Sequence, residues 1–155
     1  MYARDLALIA TPIGMVRIEG DADVIHTISI RAGDRPEMAA TGALAEGAAQ
    51  IAAYFARRLS AFDLPLAPLP SPRGMAMREA MIGIGLGETR SYGALARSIG
   101  SGARAIGQAC ARNPLPIVVP CHRVLNADGS LGAYSAGDGA NTKRWLLVHE
   151  QARLI

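Results

Sequence analysis

The chain has 155 residues, of which 50% are hydrophobic and 19% are charged, and its formal net charge at pH 7 is +3. This length suffices for one ordinary domain or two small ones with a buried core, so disulfides are not required. The mildly basic charge suits a polyanionic partner but does not demand one. No stretch reaches the ~18 apolar residues of a membrane span, and the N-terminus lacks a signal-like pattern, so we expect a cytoplasmic protein without membrane association.

Cysteine and histidine are scarce in this chain. The two cysteines are Cys110 and Cys121, and the three histidines are His26, His122 and His149. Two cysteines make no disulfide framework, which indicates a reducing compartment. Neither cysteine lies in a Cys-x-x-Cys pair, so no zinc-ligand spacing can be assembled and we expect no metal site.

The first half of the chain is predicted to be α/β. Residues 5–10 and 15–18 are strand-like on either side of a Thr-Pro-Ile-Gly turn, which predicts a hairpin, and residues 24–30 supply a third strand. Residues 39–59 are rich in Ala, Glu and Arg, with apolar residues at helical spacing. We therefore expect a small sheet accompanied by one helix.

A proline-rich segment at residues 61–73 separates the two halves. It cannot be regular helix or central strand, and we take it as the linker. The sequence therefore predicts an N-terminal domain at residues 1–68 and a C-terminal domain at residues 69–155.

The second half is predicted to be helical. Residues 75–84 show a helical pattern that a Gly-Leu-Gly stretch ends. Two short helices at 92–99 and 103–111 are separated by Gly-Ser-Gly, which has the length and chemistry of a helix-turn-helix. A final helix is expected at residues 141–151, with an apolar Trp-Leu-Leu run for the core.

The helix predicted at residues 103–111 is unusually small-sided. Ala and Gly recur through it, and Arg104 is the one long basic group near its start. Close packing of this helix in the core would explain the composition. So would approach to a DNA minor groove only ~6 Å wide, which admits a helix only if its facing side chains are small or the DNA is bent open. Composition alone leaves both explanations open.

Cys121 is the candidate nucleophile. It follows a proline at the end of an apolar run that we interpret as extended, and His122 and Arg123 after it can favour a thiolate over a thiol of pKa ~8.5. Adjacent side chains on an extended segment point to opposite sides, so we expect His122 to reach the sulfur through a water or a loop bend. Glu150 is one candidate to orient the imidazole, and a structural role for His122 is the alternative. Cys110, among alanines, is interpreted as a small buried hydrophobe.

Five motifs stand out in the second half: Arg90-Ser91-Tyr92, Arg104-Ala105-Ile106-Gly107, Asn113-Pro114, the block from Pro116 to Val124, and Trp145 to Glu150. Together they resemble the O6-alkylguanine-DNA alkyltransferases. The resemblance covers the C-terminal half almost continuously, and weaker similarities at residues 11–14 and 54–66 extend it over most of the chain. The Pro-Cys-His-Arg-Val block, at this spacing from an Arg-Ala-hydrophobic-Gly helix, is highly specific.

The resemblance implies an α/β + α fold. A small N-terminal α/β domain of RNase H-like topology would precede a helical domain that carries a winged helix-turn-helix and the active site. It also implies direct-reversal DNA repair, in which an alkyl group moves irreversibly from O6 of guanine to Cys121, with O4-alkylthymine as a further candidate substrate. Each protein molecule would act once and need no cofactor. The partner would be double-stranded DNA containing alkylated bases, bound through its minor groove by a monomer.

The same resemblance assigns roles to individual residues. Cys121 accepts the alkyl group, His122 acts through a water and is oriented by Glu150, and Asn113 helps to hold the site. Tyr92 presses on the phosphate backbone and reaches the flipped base, while Arg104 fills the stack that the guanine leaves. The remaining residues expected to contact DNA are Ala103, Gly107 and Arg123, and those expected to contact the base are Pro116, Val124, Tyr134 and Ser135.

Three other functions fit parts of the sequence. A non-catalytic protein that binds alkylated bases would share the fold, but Cys121 argues against it. A transcriptional regulator would read bases through the helix-turn-helix, yet the Ala/Gly helix offers few base-reading side chains. A cysteine hydrolase would need a base in contact with the sulfur and an oxyanion hole, for which the sequence offers no case.

Overall fold

The computed structural model describes residues 5–33 and 42–152. The chain divides into two compact units, Met1–Ala67 and Pro68–Ile155, which we call unit 1 and unit 2. The fold is mixed α/β, as expected, with an antiparallel sheet in unit 1 and most of the helices in unit 2.

Unit 1 contains a three-stranded antiparallel sheet and one helix. The strands are β1 (Asp5–Thr11), β2 (Gly14–Gly20) and β3 (Ile25–Arg31), in that order across the sheet, and the helix is α1 (Gly42–Phe55). Strand side chains alternate between two faces, and the face that packs against α1 supplies the core. The most deeply buried residues of this core, from the sheet and from α1, are Ala7, Val16, Ile18, Ile25, Leu44 and Ile51.

The helix of unit 1 ends earlier than the sequence predicts. α1 stops at Phe55, because Arg57 adopts a left-handed backbone with φ of 60° and so closes the helix. The predicted start at residues 39–41 lies outside the described residues.

The start of the predicted linker is docked on the sheet. The Ile25 amide donates to the Pro65 carbonyl at 2.8 Å, and the Ala67 amide donates to the Ile25 carbonyl at 2.8 Å. A proline lacks the N–H group but keeps a carbonyl that can accept, so this segment can pair with β3 although it cannot form a central strand. Residues 65–67 of the segment predicted as the linker are therefore hydrogen-bonded to β3.

Among its described residues, 68–152, unit 2 has four α-helices and two very short strands. In chain order they are α2 (Pro72–Ile82), β4 (Arg90–Ser91), α3 (Tyr92–Ser98), α4 (Ala103–Ala111), β5 (Val124–Leu125) and α5 (Ala140–His149). α2 begins before the predicted residue 75, because the Ser71 hydroxyl caps it by accepting from the Gly74 amide at 3.0 Å and Pro72 occupies its first position. α4 has the predicted bounds.

The pairing of β4 with β5 positions the site. The two strands are parallel, with Arg90 opposite Val124 and Ser91 opposite Leu125. Ser91 also caps α3, since its hydroxyl accepts from the Ala94 amide at 3.0 Å. Strands of two residues carry no recognisable alternation, so the sequence did not predict them. Their pairing places the start of α3 beside the segment that follows Cys121.

The described ranges were also searched for membrane spans and metal clusters. No helix among them is both long and apolar enough to cross a membrane. Nor do three or more His, Cys, Asp or Glu side chains of residues 5–33 and 42–152 converge where they could hold a metal ion.

Candidate active site

A pocket of about 500 Å³ opens beside Cys121. Its walls come from the start of α3, one side of α4 and the loop at residues 132–135. The pocket brings together many of the residues singled out by the sequence, namely Tyr92, Ala103, Arg104, Gly107, Cys121, Tyr134 and Ser135. Cys110, interpreted from sequence as a buried hydrophobe, is buried and also lines this pocket.

Two predicted base contacts lie outside the lining of this pocket. Pro116 and Val124 are both buried, and neither contributes to the pocket wall. The Val124 carbonyl accepts a hydrogen bond from Lys143 Nζ at 2.7 Å. The structure therefore does not bring these two side chains to the pocket that contains Cys121.

The segment that leads to Cys121 is a compact turn rather than an extended strand. The Val119 amide donates to the Leu115 carbonyl at 2.9 Å, and Ile117 has a φ of 75°, an unusual conformation for a β-branched residue. Cys121–Arg123 then forms one turn of 3₁₀ helix. The expectation of an extended segment was therefore wrong. In a 3₁₀ turn successive side chains diverge by roughly 120°, so the side chains of Cys121 and His122 point in different directions. No hydrogen bond among the described residues joins His122 to Cys121, so the expected lack of direct contact agrees with the structure.

Asn113 holds this turn and touches the nucleophile. Its side-chain carbonyl accepts from the Leu115 amide at 3.0 Å. Its amide nitrogen donates to the Val119 carbonyl at 2.9 Å and to Cys121 Sγ at 3.3 Å. One side chain thereby fixes both ends of the turn and supplies a donor that favours a negatively charged sulfur.

Behind the turn lies a buried cluster of three ionisable side chains. Glu150, directly after α5, accepts from His122 Nε2 at 2.6 Å and from Arg123 Nε at 2.8 Å. Arg123 also donates to the Ile84 carbonyl at 2.6 Å. The structure thus brings Glu150 to His122, as the resemblance implies.

The same cluster corrects the expected DNA contact of Arg123. This residue is only 7% exposed, and its guanidinium is bound by the carboxylate and a backbone carbonyl. A guanidinium buried with a carboxylate would lose that partner if it turned outward to a phosphate. Arg123 is a positioning residue for Glu150.

The cluster determines the proton state of the imidazole. Burial raises the pKa of Glu150, but the hydrogen bonds from His122 and Arg123 and the positive charge of Arg123 outweigh it and lower the pKa to about 2. Burial is the largest effect on His122 and lowers its pKa. A neutral imidazole beside an ionised carboxylate must carry its proton on Nε2, so Nδ1 is an acceptor. Within the described residues Nδ1 has no hydrogen-bond partner.

The Cys121 thiol has a raised pKa, whereas the sequence suggested that its neighbours favour the thiolate. Burial raises its pKa, while the hydrogen bond from Asn113 and the positive charge of Lys143 lower it. His122 is neutral and Arg123 is paired with Glu150, so neither supplies the favourable charge expected from its neighbouring position. The thiol proton must therefore be removed in the course of any reaction.

Lys143 is the site residue that sequence reasoning missed. It lies in α5 and is 0% exposed. A lysine between Thr142 and Arg144 suggests a solvated face. Its spacing from the buried Leu146 and Leu147 could have identified it, because residues three and four apart share one face of a helix.

The chain is similar to known proteins over nearly its whole length. Residues 75–152 match the family model described as 6-O-methylguanine DNA methyltransferase, DNA binding domain. The chain is 37% identical to the methylated-DNA–protein-cysteine methyltransferase of Mycobacterium leprae, over 94% of this chain and 91% of that protein. The crystal structure of Mycobacterium tuberculosis O6-methylguanine methyltransferase has a TM-score of 0.81 and 34% identity, covering 96% of this chain and 93% of that one. A crystal structure of Mycobacterium tuberculosis OGT in complex with DNA has a TM-score of 0.79 and 37% identity, covering 93% and 91%.

The buried cluster predicts that acid destabilises unit 2. The pKa of Glu150 is about 2 when folded against an ordinary 4.5, so its contribution is complete above pH 4.5 and is lost as the pH falls through 2. That contribution is on the order of 3 kcal/mol. Glu150→Gln leaves the Arg123 charge without its carboxylate, and we expect a loss of about 3 kcal/mol or more at pH 7. We also expect a weaker pH dependence below pH 4.5.

Urea unfolding at a series of pH values measures both effects. Glu79→Gln, which removes an exposed carboxylate from α2, controls for the general loss of a negative charge. Identical pH dependence in Glu150→Gln and the unchanged chain would contradict the role given to this carboxylate.

Proposed function

This chain belongs to the methylated-DNA–protein-cysteine methyltransferase family, and from that premise we propose that it repairs O6-alkylguanine in DNA by moving the alkyl group to Cys121. The observation that carries the proposal is the Cys121 thiol at a pocket, with Asn113 on its sulfur and with the neutral imidazole of His122 held by the ionised carboxylate of Glu150. The reaction is direct reversal of damage by a methylated-DNA–[protein]-cysteine S-methyltransferase.

The transfer is a displacement at the alkyl carbon. Cys121 Sγ forms a bond to that carbon while the bond from the carbon to O6 of guanine breaks, and the electron pair of that bond stays with the base. The thiol proton leaves the sulfur, and one proton is returned to the guanine, so charge balances. A thioether does not leave again under cellular conditions, and each protein molecule therefore repairs one lesion.

His122 is proposed to take the thiol proton through one bridging water. Its Nδ1 is the acceptor nitrogen, and Glu150 holds the opposite edge of the ring through Nε2. The carboxylate stabilises the imidazolium that forms during proton transfer, as an orienting acid does in other nucleophile-base pairs. Asn113 stabilises the developing thiolate through the bond to the sulfur.

The pocket is proposed to receive the alkylated guanine after the nucleotide rotates out of the duplex. An alkyl group on O6 is inaccessible inside the base stack, and extrusion costs a few kcal/mol, less for a mispaired base. Tyr92 and Tyr134 line the walls, and the Tyr134 hydroxyl is buried with no hydrogen-bond partner among the described residues. Ser135 lines the same pocket. Arg104, exposed near the start of α4, is proposed to fill the stack behind the base.

α4 is proposed to lie against the minor groove. Ala103 is exposed, and a side chain built on Gly107 would meet nothing within 4 Å. This open surface supports the explanation that small residues here allow close approach to DNA. With α3, this helix would form the helix-turn-helix, and phosphate contacts would supply most of the affinity.

The remaining features of the proposal come from the resemblance. They are the RNase H-like topology of an N-terminal domain at residues 1–68, the winged form of the DNA-binding domain at residues 69–155, and activity on O4-alkylthymine. The monomeric state and the cytoplasmic location also stay predictions.

The proposed reaction predicts a change in the mass of the intact protein. After incubation with a duplex that contains O6-methylguanine, we expect each protein molecule to gain one methyl group and then to stop reacting. Peptide mapping should locate the group on Cys121 and not on Cys110. Cys121→Ser should gain nothing, because a hydroxyl is a far weaker nucleophile than a thiolate. Repeated turnover, or unmodified protein beside unrepaired DNA, would sink the proposal.

The base-flipping role predicts a difference between two substrates. For Arg104→Ala and Tyr92→Ala, repair of duplex DNA should slow by about tenfold or more, because the extruded state loses its support. Reaction with free O6-benzylguanine, which needs no flipping, should change less. Arg97→Ala, an exposed arginine in the last turn of α3, controls for the loss of one positive charge. Equal losses with both substrates would show that the flipping roles are wrong.

The small-sided helix predicts the effect of a bulky side chain on DNA binding. Gly107→Leu should preserve or slightly raise stability, because glycine in a helix interior costs ~1 kcal/mol relative to alanine. It should weaken binding to an undamaged duplex by about tenfold, because the helix can no longer approach the groove. Gln108→Leu, at the neighbouring exposed position, should bind normally. Fluorescence anisotropy at constant salt measures the DNA binding of both variants. Unchanged binding by Gly107→Leu would exclude this docking surface.

A further inference from the structure

A fully buried lysine stands behind the wall of the proposed alkyl-transfer pocket. Lys143 is 0% exposed and is among the largest fully buried side chains. None of the ion pairs found within residues 5–33 and 42–152 includes it. Taking an ammonium group out of water without a carboxylate partner is costly, and an apolar residue of similar shape would avoid that cost. A buried charge of this kind indicates a function other than stability.

The ammonium group joins three separate parts of unit 2. Lys143 Nζ donates to the Val124 carbonyl at 2.7 Å. It also lies 3.5 Å from the Ala133 carbonyl and 3.5 Å from Tyr92 Oη, and 5.7 Å from the centre of the Tyr92 ring. These acceptors belong to β5, to the loop that lines the pocket and to the first residue of α3. Three acceptors match the three N–H donors of an ammonium ion.

We propose that Lys143 is a positioning residue for the transfer, which ties Tyr92 and the 132–135 loop to the Cys121 turn and supplies the positive charge that favours the Cys121 thiolate. This inference rests on the proposed function, because it concerns the same pocket. It adds a residue that touches neither the sulfur nor the base and acts through the groups that do.

The charge argument follows from what else faces the sulfur. Asn113 donates a neutral hydrogen bond, His122 is neutral, and Arg123 is paired with Glu150. Among the described residues, Lys143 is the cation whose charge lowers the pKa of Cys121. The other titratable groups near Lys143 are Tyr92, with its pKa raised to about 12, and Cys110, with its pKa also raised to about 12. Both are neutral near pH 7, so neither offsets the positive charge of Lys143, whose own pKa is lowered by burial.

Three substitutions separate the charge from the hydrogen bond. Lys143→Arg keeps the charge, Lys143→Gln keeps a donor for the Val124 carbonyl without the charge, and Lys143→Met removes both. Arg144→Met, which removes an exposed positive charge from the next position on α5, is the matched control. Near-ultraviolet circular dichroism and thermal unfolding verify that each variant is folded.

The test measures the rate at which iodoacetamide alkylates Cys121 between pH 6 and pH 11, with peptide mapping to separate Cys121 from Cys110. For Lys143→Gln and Lys143→Met we expect the midpoint of the pH profile to rise by about one unit or more, and the rate at pH 8 to fall by about tenfold. Lys143→Arg and Arg144→Met should keep the original midpoint. Transfer from O6-methylguanine in duplex DNA should slow by about tenfold in Lys143→Gln and remain unchanged in Arg144→Met.

Several outcomes would overturn the proposal. An unchanged midpoint in folded Lys143→Gln would limit Lys143 to a structural role, even if the melting temperature falls. If neither neutral variant folds, the test depends on Lys143→Arg, which keeps the positive charge. A rise of about one unit or more in the midpoint of its pH profile would show that the charge does not set the thiolate of Cys121. Iodoacetamide reports on the thiolate without DNA. A failure of alkyl transfer in the unchanged chain would therefore refute the proposed function without obscuring this result.

Discussion

The hydrogen bonds that Glu150 accepts from His122 and Arg123 are the interaction on which the rest of the site depends. An isolated carboxylate could not stay ionised at this depth, and the two partners lower its pKa to about 2. In return the carboxylate fixes the imidazole with its proton on Nε2 and keeps the guanidinium inside. The turn that carries Cys121 is anchored through the same two residues. The same cluster therefore holds the turn that carries Cys121 and sets the protonation of His122, so a substitution in it is expected to change both.

Burial raises the pKa of the Cys121 thiol, which by itself disfavours the thiolate that a nucleophile needs. The arrangement suits a protein that can react only once. A fully formed thiolate would be exposed to every oxidant and electrophile, whereas a buried thiol stays inert until the substrate arrives and the proton leaves. Asn113 and Lys143 reduce the cost of forming the thiolate at that moment, one through a hydrogen bond and the other through charge.

α4 has to pack in the core of unit 2 and, in the proposed function, to approach DNA closely. Ile106 and Cys110 are buried and pack in unit 2, whereas the small residues Ala103 and Ala111 and the longer Arg104 and Gln108 are exposed. The small residues explain how a helix could come close to a groove that admits little else. The single long side chain near its start would then occupy the space that an extruded base vacates. Core packing and the proposed approach to a groove are therefore compatible explanations, because α4 has both buried and exposed positions.

The elements that could be predicted from the amino-acid sequence are those whose signals are local. The bounds of α4 were predicted correctly and the strands of unit 1 nearly so, because period and turn chemistry are written in neighbouring residues. The motif around Cys121 likewise indicated the nucleophile. The inward position of Arg123 and the burial of Lys143, in contrast, depend on contacts between distant parts of the chain. The contacts of Arg123 with Glu150 and Ile84 span 27 and 39 positions of the chain, and that of Lys143 with Val124 spans 19. From sequence, a charged side chain is predicted to be exposed to solvent. Its burial depends on hydrogen-bond acceptors that are distant in the chain, and no local pattern predicts which acceptors the fold brings to it.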